Sequence, residues 1–213
     1  KGVITQDAAG LAQKGGATWS HIQIANRMDA IHTTKVGTAE ADLVIGCDPI
    51  VAANPATLAV MRPGRSFVAL NTHGAPTAAF VHQPDWQFPS GACESALAAA
   101  VGAELVGHVD ADAVATQLLG DSIYANPLML GFAWQKGRVP LGHAALMRAI
   151  ELNDAAIAMN KQAFAWGRLA AHDPAKVRAA AAAPPRASDV IALDDPHRMS
   201  RSLDETVARR VAF

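Results

Sequence analysis

The chain has 213 residues and a formal net charge of −1, so no charge excess steers it toward nucleic acid or an anionic membrane. Hydrophobic residues make up 51% and aromatic residues only 5%; the excess is mostly alanine, which suits close-packed helices. No apolar run approaches the roughly 20 residues that span a bilayer, and two cysteines, Cys47 and Cys93, fit a reducing cytosol and can supply neither a disulfide framework nor the full thiolate set of an iron–sulfur cluster.

From the N-terminus, Val3 to Gln6 reads as a short strand and Asp7 to Gly16 as a loop. The next residues alternate: Ala17, Trp19, His21 and Gln23 share one side, and Thr18, Ser20, Ile22 and Ile24 the other. That pattern predicts a strand over Ala17 to Ala25. Gly15 and Gly16 precede it, and their N–H groups can converge on an anion beside Lys14. A plain tight turn accounts for the same residues. Asn26 to Glu40 is polar and irregular. Asp42 to Cys47 is a continuous apolar run, as expected of a parallel sheet covered on both faces. Asp48-Pro49 and Asn54-Pro55 each read as an N-cap followed by a first helical residue, which predicts two short helices ending near Met61. Arg62-Pro63-Gly64 is a turn, and Ser66 to Asn71 is another buried strand.

Thr72 to Pro89 is a long loop in which Ala78 to Val81 can be extended. Ser90 to Val101 reads as a helix and Glu104 to Val109 as a strand. Asp110 or Asp112 caps a short helix ending at Leu119. Ser122 to Lys136 is helical and stops at Gly137. Pro140 begins a helix to about Leu152, and Asn153-Asp154 caps another from Ala155 to Ala171. Ile150, Ile157 and Phe164 form a packing stripe. Beside it recur Asn153, Asn160 and Gly167, read as a cap, a partner for neighbouring backbone and a point of close approach. From His172 to Asp195 the chain reads as an Ala/Pro-rich linker, and Ser202-Leu203-Asp204-Glu205 as the capping box of a helix bearing Leu203, Val207 and Val211. The alternation predicts an α/β fold: a three-layer, Rossmann-like doubly wound sheet with a helical C-terminal portion. The ends, Lys1 without an initiator methionine and Phe213 just beyond a helix, read as those of a piece of something longer.

In an open α/β sheet, ligands gather beyond the carboxyl ends of the strands. That rule selects Lys14, Asp48, Asn71, Thr72 and His73, each of which also has a reading as a turn or cap residue. Familiar sites are missing. There is no G-x-G-x-x-G after a strand, no Walker A sequence, no paired histidines, no C-x-x-C and no G-x-S-x-G. Gly120-Asp121-Ser122 with Asn153 lacks the second glycine and paired asparagines of a thiamine-diphosphate magnesium motif, so Asp121 reads as a helix cap. No metal ligands and no catalytic residues are assigned.

Gly10-Leu11-Ala12-Gln13-Lys14-Gly15-Gly16 followed by Ser20-His21-Ile22 resembles the gamma-type domain of 2-oxoacid:ferredoxin oxidoreductases, above all the long fused bacterial indolepyruvate type. Further matches follow in order. They are Ala41 to Asp48, Met61-Arg62-Pro63-Gly64, Asn71-Thr72, Asn126 to Gly131, Ala149 to Asn153 and Asn160 to Arg168. The resemblance covers residues 1–171, leaves 172–199 as linker and makes 200–213 the start of a following helical segment. It implies a cytoplasmic enzyme that decarboxylates a 2-oxoacid to an acyl-CoA and passes electrons to ferredoxin. Thiamine diphosphate, magnesium and iron–sulfur clusters are then expected in other domains or subunits, with no nucleic-acid or membrane partner. Within this segment the resemblance implies a cover for the active site or a coenzyme A contact, with Lys14, Gly15, Gly16, Ser20, Asp48, Asn71, Thr72 and Asn126 as cofactor-binding candidates. Gln23 stands where relatives often carry arginine. The family's opening glycine-rich strand precedes the residues matched here, so one central sheet position is expected to be vacant. A stand-alone Rossmann-like binding module and a pure assembly domain are the rival readings.

Overall fold

The computed structural model describes residues 1–8, 18–74, 87–182 and 202–211. It divides into Lys1–Ala182 and Ala183–Phe213. Strands β1 (Gly2–Ala8) and β2 (Trp19–Ala25) pair antiparallel, with Gly2 opposite Ala25 and Ala8 opposite Trp19. They form a two-stranded ribbon of their own, which corrects the expectation that both belong to the doubly wound sheet. The short connection accounts for the antiparallel pairing, since a parallel crossover takes about a dozen residues or more and only residues 9–18 separate the strands. One ribbon face carries Ile4, Gln6, His21 and Gln23, all half-buried. Backbone from residues 33–36 ties down this face. Gln23 Nε2 donates to the carbonyls of Thr33 (2.8 Å) and Lys35 (3.0 Å), and Val36 N donates to His21 Nδ1 (2.9 Å).

The parallel sheet has the order β3 (Leu43–Gly46), β4 (Phe67–Asn71), β5 (Val106–Val109). Leu43 lies opposite Phe67, and Asn71 opposite Val109. All five residues of β4 are buried, because helices cover both faces of this central strand. Its pleat sends Val68 and Leu70 toward α1 (Pro49–Ala52) and α3 (Ser90–Val101), where they meet Ala52, Leu97 and Val101. Phe67 and Ala69 face the other way, into a cluster with Ala111 and Ala115 of α4 (Ala111–Leu119) and Leu128, Met129 and Phe132 of α5 (Ala125–Gln135). The three expected layers are therefore present. Asp48 Oδ1 accepts from Ile50 N (2.8 Å) and Val51 N (3.2 Å), and Asn54 Oδ1 accepts from Thr57 N (2.8 Å), so α1 and α2 (Pro55–Val60) start where the Asp-Pro and Asn-Pro pairs place them. Buried Ser66 holds the turn before β4, accepting from Arg62 N (2.7 Å) and donating to Ala41 O (2.5 Å).

The helical portion comprises α6 (His143–Leu152), α7 (Ile157–His172) and α8 (Pro174–Ala181). Helices α5 and α7 cross nearly backbone to backbone. A Cβ on Gly167 would stand 2.8 Å from the Leu128 carbonyl carbon and 2.9 Å from Phe132 N, and closer still to Leu128 O; one on Gly131 would stand 2.9 Å from the Phe164 carbonyl carbon. Gly167 thus marks the close approach expected of it, and Gly131 is its counterpart. Several boundaries move. Ala103–Leu105 is a 3-10 turn before β5, and Ser122–Tyr124 another before α5, with Asp121 as its cap. Helix α6 starts after Gly142 rather than at Pro140. Asn153 closes α6, its N–H bonded to Ala149 O (3.0 Å), and α7 begins only after Asp154 and Ala156 turn through positive φ of 54° and 41°. Asn160 does serve neighbouring backbone, donating to Ala155 O (2.8 Å).

The linker reading fails over Pro174–Ala181. Asp173 Oδ1 accepts from Lys176 N (3.1 Å), and Val177 is buried in the core, so one apolar anchor in an alanine-rich, capped stretch suffices for docking. Ala78 to Val81 and residues 183–201 lie outside the described residues. In the second unit, α9 (Leu203–Val211) starts as its capping box requires, with Glu205 N donating to Ser202 Oγ (3.2 Å).

Candidate functional site

The carboxyl edge of the parallel sheet gathers Cys47 and Asp48 after β3, Thr72 to Gly74 after β4, and Asp110 to Asp112 after β5. Asn71, the last residue of β4 and 2% exposed, ties these loops together. Its Nδ2 donates to Cys47 O (3.0 Å) and Asp112 Oδ2 (2.6 Å). Its Oδ1 accepts from Ala111 N (2.9 Å) and His73 N (3.3 Å). Both amide hydrogens meet acceptors and the oxygen meets two donors, so its full capacity is spent on fixing the rim. Thr72 N adds a bond to Val109 O (3.0 Å).

The β5–α4 junction carries Asp-Ala-Asp, and the two carboxylates divide the work. Asp110 caps α4 by accepting from Ala113 N (2.9 Å), while Asp112 turns back to Asn71. The exposed His73 holds Nδ1 3.8 Å from Asp110 Oδ1. Cys47 is exposed as a residue, yet the groups crowding its sulfur, then the Asp112 and Asp48 carboxylates, push its thiol above the ordinary value. The sulfur is therefore held as a thiol and is poorly suited to act as a nucleophile. Asp48 and Asp110 occupy the N–H groups by which their helix starts would meet an anion.

Of the residues singled out from sequence, Asp48, Asn71, Thr72 and His73 come together on this rim. Ser20 lies on the exposed ribbon and donates to Asp7 Oδ1 across it. Asn126 is exposed in the first turn of α5. Among the described residues no hydrogen bond joins Ser20 or Asn126 to the Asn71 cluster. Lys14, Gly15 and Gly16 lie outside the described residues. The Cys47 carbonyl, in the loop that follows β3, and Asp112, two residues beyond Asp110, complete the rim. The legible signal was the doubled aspartate, since one helix start needs only one of them. A shallow depression on α7, lined by Gln135, Ala165, Arg168, Leu169 and His172, shares no residue with the rim.

Over residues 1–170 the chain matches the family model described as pyruvate ferredoxin/flavodoxin oxidoreductase. The chain belongs to this family. No individual curated protein matches it. The expected kinship with 2-oxoacid:ferredoxin oxidoreductases is thereby established at the level of the family. Enzymes of this family generally use thiamine diphosphate and iron–sulfur clusters. The rim as described does not fit a diphosphate with its magnesium. One oxygen of each rim carboxylate is held by a cap or by Asn71, their charges oppose a diphosphate, and among the described residues no group of three or more His, Cys, Asp or Glu can hold a metal ion. Among the same residues no helix is long and apolar enough to cross a membrane.

Proposed function

We propose that this chain is an accessory domain of a cytoplasmic 2-oxoacid:ferredoxin oxidoreductase of the indolepyruvate type, and that its sheet rim borders a reaction centre built by neighbouring domains. The observation that supports this reading most is Asn71. In an open α/β sheet the carboxyl edge is the ligand edge, and there the chain commits a fully buried amide to holding three loops in register. Within such an enzyme, thiamine diphosphate and the clusters belong to other domains, and ferredoxin takes the electrons released as the 2-oxoacid loses its carboxylate and becomes an acyl-CoA.

The carboxylates of Asp48, Asp110 and Asp112 would repel phosphate groups. We therefore assign any coenzyme A phosphate contact to Lys14 with Gly15 and Gly16. Calorimetry with coenzyme A on the intact enzyme, wild type against Lys14→Ala, tests that assignment; equal affinity removes Lys14 from it. The rim itself is tested by Cys47→Trp, which places an indole on an exposed rim position. In the intact enzyme, assayed well below the variant's thermal midpoint so that crowding at the sulfur is not read as lost function, oxoacid-dependent dye reduction with coenzyme A present should fall at least tenfold. Unchanged turnover would reject the rim as a border of the reaction centre. Indolepyruvate should also be turned over in preference to pyruvate.

A further inference from the structure

We propose that His73 contacts the 2-oxoacid at this rim, through its carboxylate or keto oxygen, and that Asn71 is the positioning residue of His73. The inference rests on the reading of the rim as the border of a reaction centre. His73 is the exposed nitrogen donor among the described rim side chains, with 49% of its side-chain surface open. Its neighbours are otherwise engaged. Asp48 and Asp110 cap helices, Asp112 is bonded to Asn71, and Cys47 holds its proton. A 2-oxoacid presents two adjacent oxygen-bearing groups, and an imidazole N–H is a directional donor for either. A 2-oxoacid carries one negative charge, so the nearby carboxylates oppose it less than they oppose the several charges of coenzyme A phosphates, and the imidazole N–H offers it a donor.

The imidazole is oriented through its own backbone. His73 stands two residues beyond the last residue of β4, and its N–H is held by Asn71 Oδ1 at 3.3 Å. The same amide grips Asp112 and the Cys47 carbonyl, so the loop start is fixed against β3 and α4 at once. Without Asn71, of these rim bonds only Thr72 N to Val109 O would anchor the start of the loop. Displacements of about 1 Å in a contacting group can lower rates on the order of a hundredfold.

The experiment is a mutant cycle on the intact enzyme, read as kcat and KM for the oxoacid in dye reduction. His73→Ala should raise KM about tenfold with the thermal midpoint unchanged, because an exposed side chain is lost. His73→Gln, which keeps an N–H donor, should recover part of that loss. Asn71→Ala should reproduce the KM change, and the double variant should be no worse than His73→Ala, since the two act through one contact. If Asn71→Ala does not fold, Asn71→Ser takes its place in the cycle. Unchanged KM and kcat in His73→Ala overturn the contact, and losses that multiply in the double variant overturn the positioning role. A dead Cys47→Trp enzyme beside an unaffected His73→Ala enzyme would leave the rim reading standing and this inference refuted. Full activity in both would refute the rim reading itself.

Discussion

Gly167→Ala probes the closest approach of backbone to a glycine among the described residues. Taken by itself the substitution should help, because alanine in a helix interior is favoured over glycine by about 1 kcal/mol. The tertiary structure reverses the sign. The new methyl would stand 2.8 Å from the Leu128 carbonyl carbon and 2.9 Å from Phe132 N, where ordinary contact begins at 3.4 Å. Both obstacles are helix backbone, which has no rotamer to give, so α5 and α7 must separate. Overpacking of a well-filled core costs typically about 1–3 kcal/mol. The opposing atoms here are rigid and flank the buried Phe164, Leu128 and Met129, so the upper end applies. Net of the helical gain, the expected destabilisation is about 2 kcal/mol. For a chain of this size that is a fall of roughly 4–8 °C in Tm, measured by circular dichroism on heating or by the urea midpoint. Gly91→Ala is the control: it lies in α3, where an added methyl would meet nothing within 4 Å, so it should be neutral or slightly stabilising. A Gly167→Ala protein as stable as wild type would refute the close helix crossing.

Two further outcomes concern ionisable groups. Hydrogen bonds from Lys161 of α7 (2.6 Å) and then Arg148 (3.1 Å) hold the Glu151 carboxyl below its ordinary value. Its folded pKa lies below the unfolded one, so its contribution is present above the unfolded pKa and is lost as pH falls through the folded value; Glu151→Gln should flatten the acid limb of a Tm-against-pH profile, and an unaltered slope would reject the linkage. At the rim, Asp112→Asn removes a carboxylate that raises the Cys47 thiol, so its thiolate fraction and alkylation rate by iodoacetamide near pH 8 should increase while buried Cys93 stays protected. An equal or slower rate would place Asp112 too far from the sulfur to matter.

The rim was half legible. Asp48, Asn71, Thr72 and His73 follow from one rule about strand ends, applied to apolar runs that the sequence marks plainly. What Asn71 does there was not legible, because its partner Asp112 lies 41 residues away. Nothing local says which of two aspartates caps the helix and which turns back to an asparagine on another strand.

The same division runs through the fold. Asp48-Pro49, Asn54-Pro55, Ser202 with Glu205, and the unbroken apolar run of β4 act within a few residues, so the sequence alone determined two short helices, a capped terminal helix and a strand covered on both faces. Only the tertiary structure decided that β1 pairs with β2 outside the parallel sheet, that Val177 anchors a helix in an alanine-rich stretch, and that Gly131 is the counterpart of Gly167. Each of those depends on which surfaces meet, and the free energy of that meeting belongs to residues far apart in the chain.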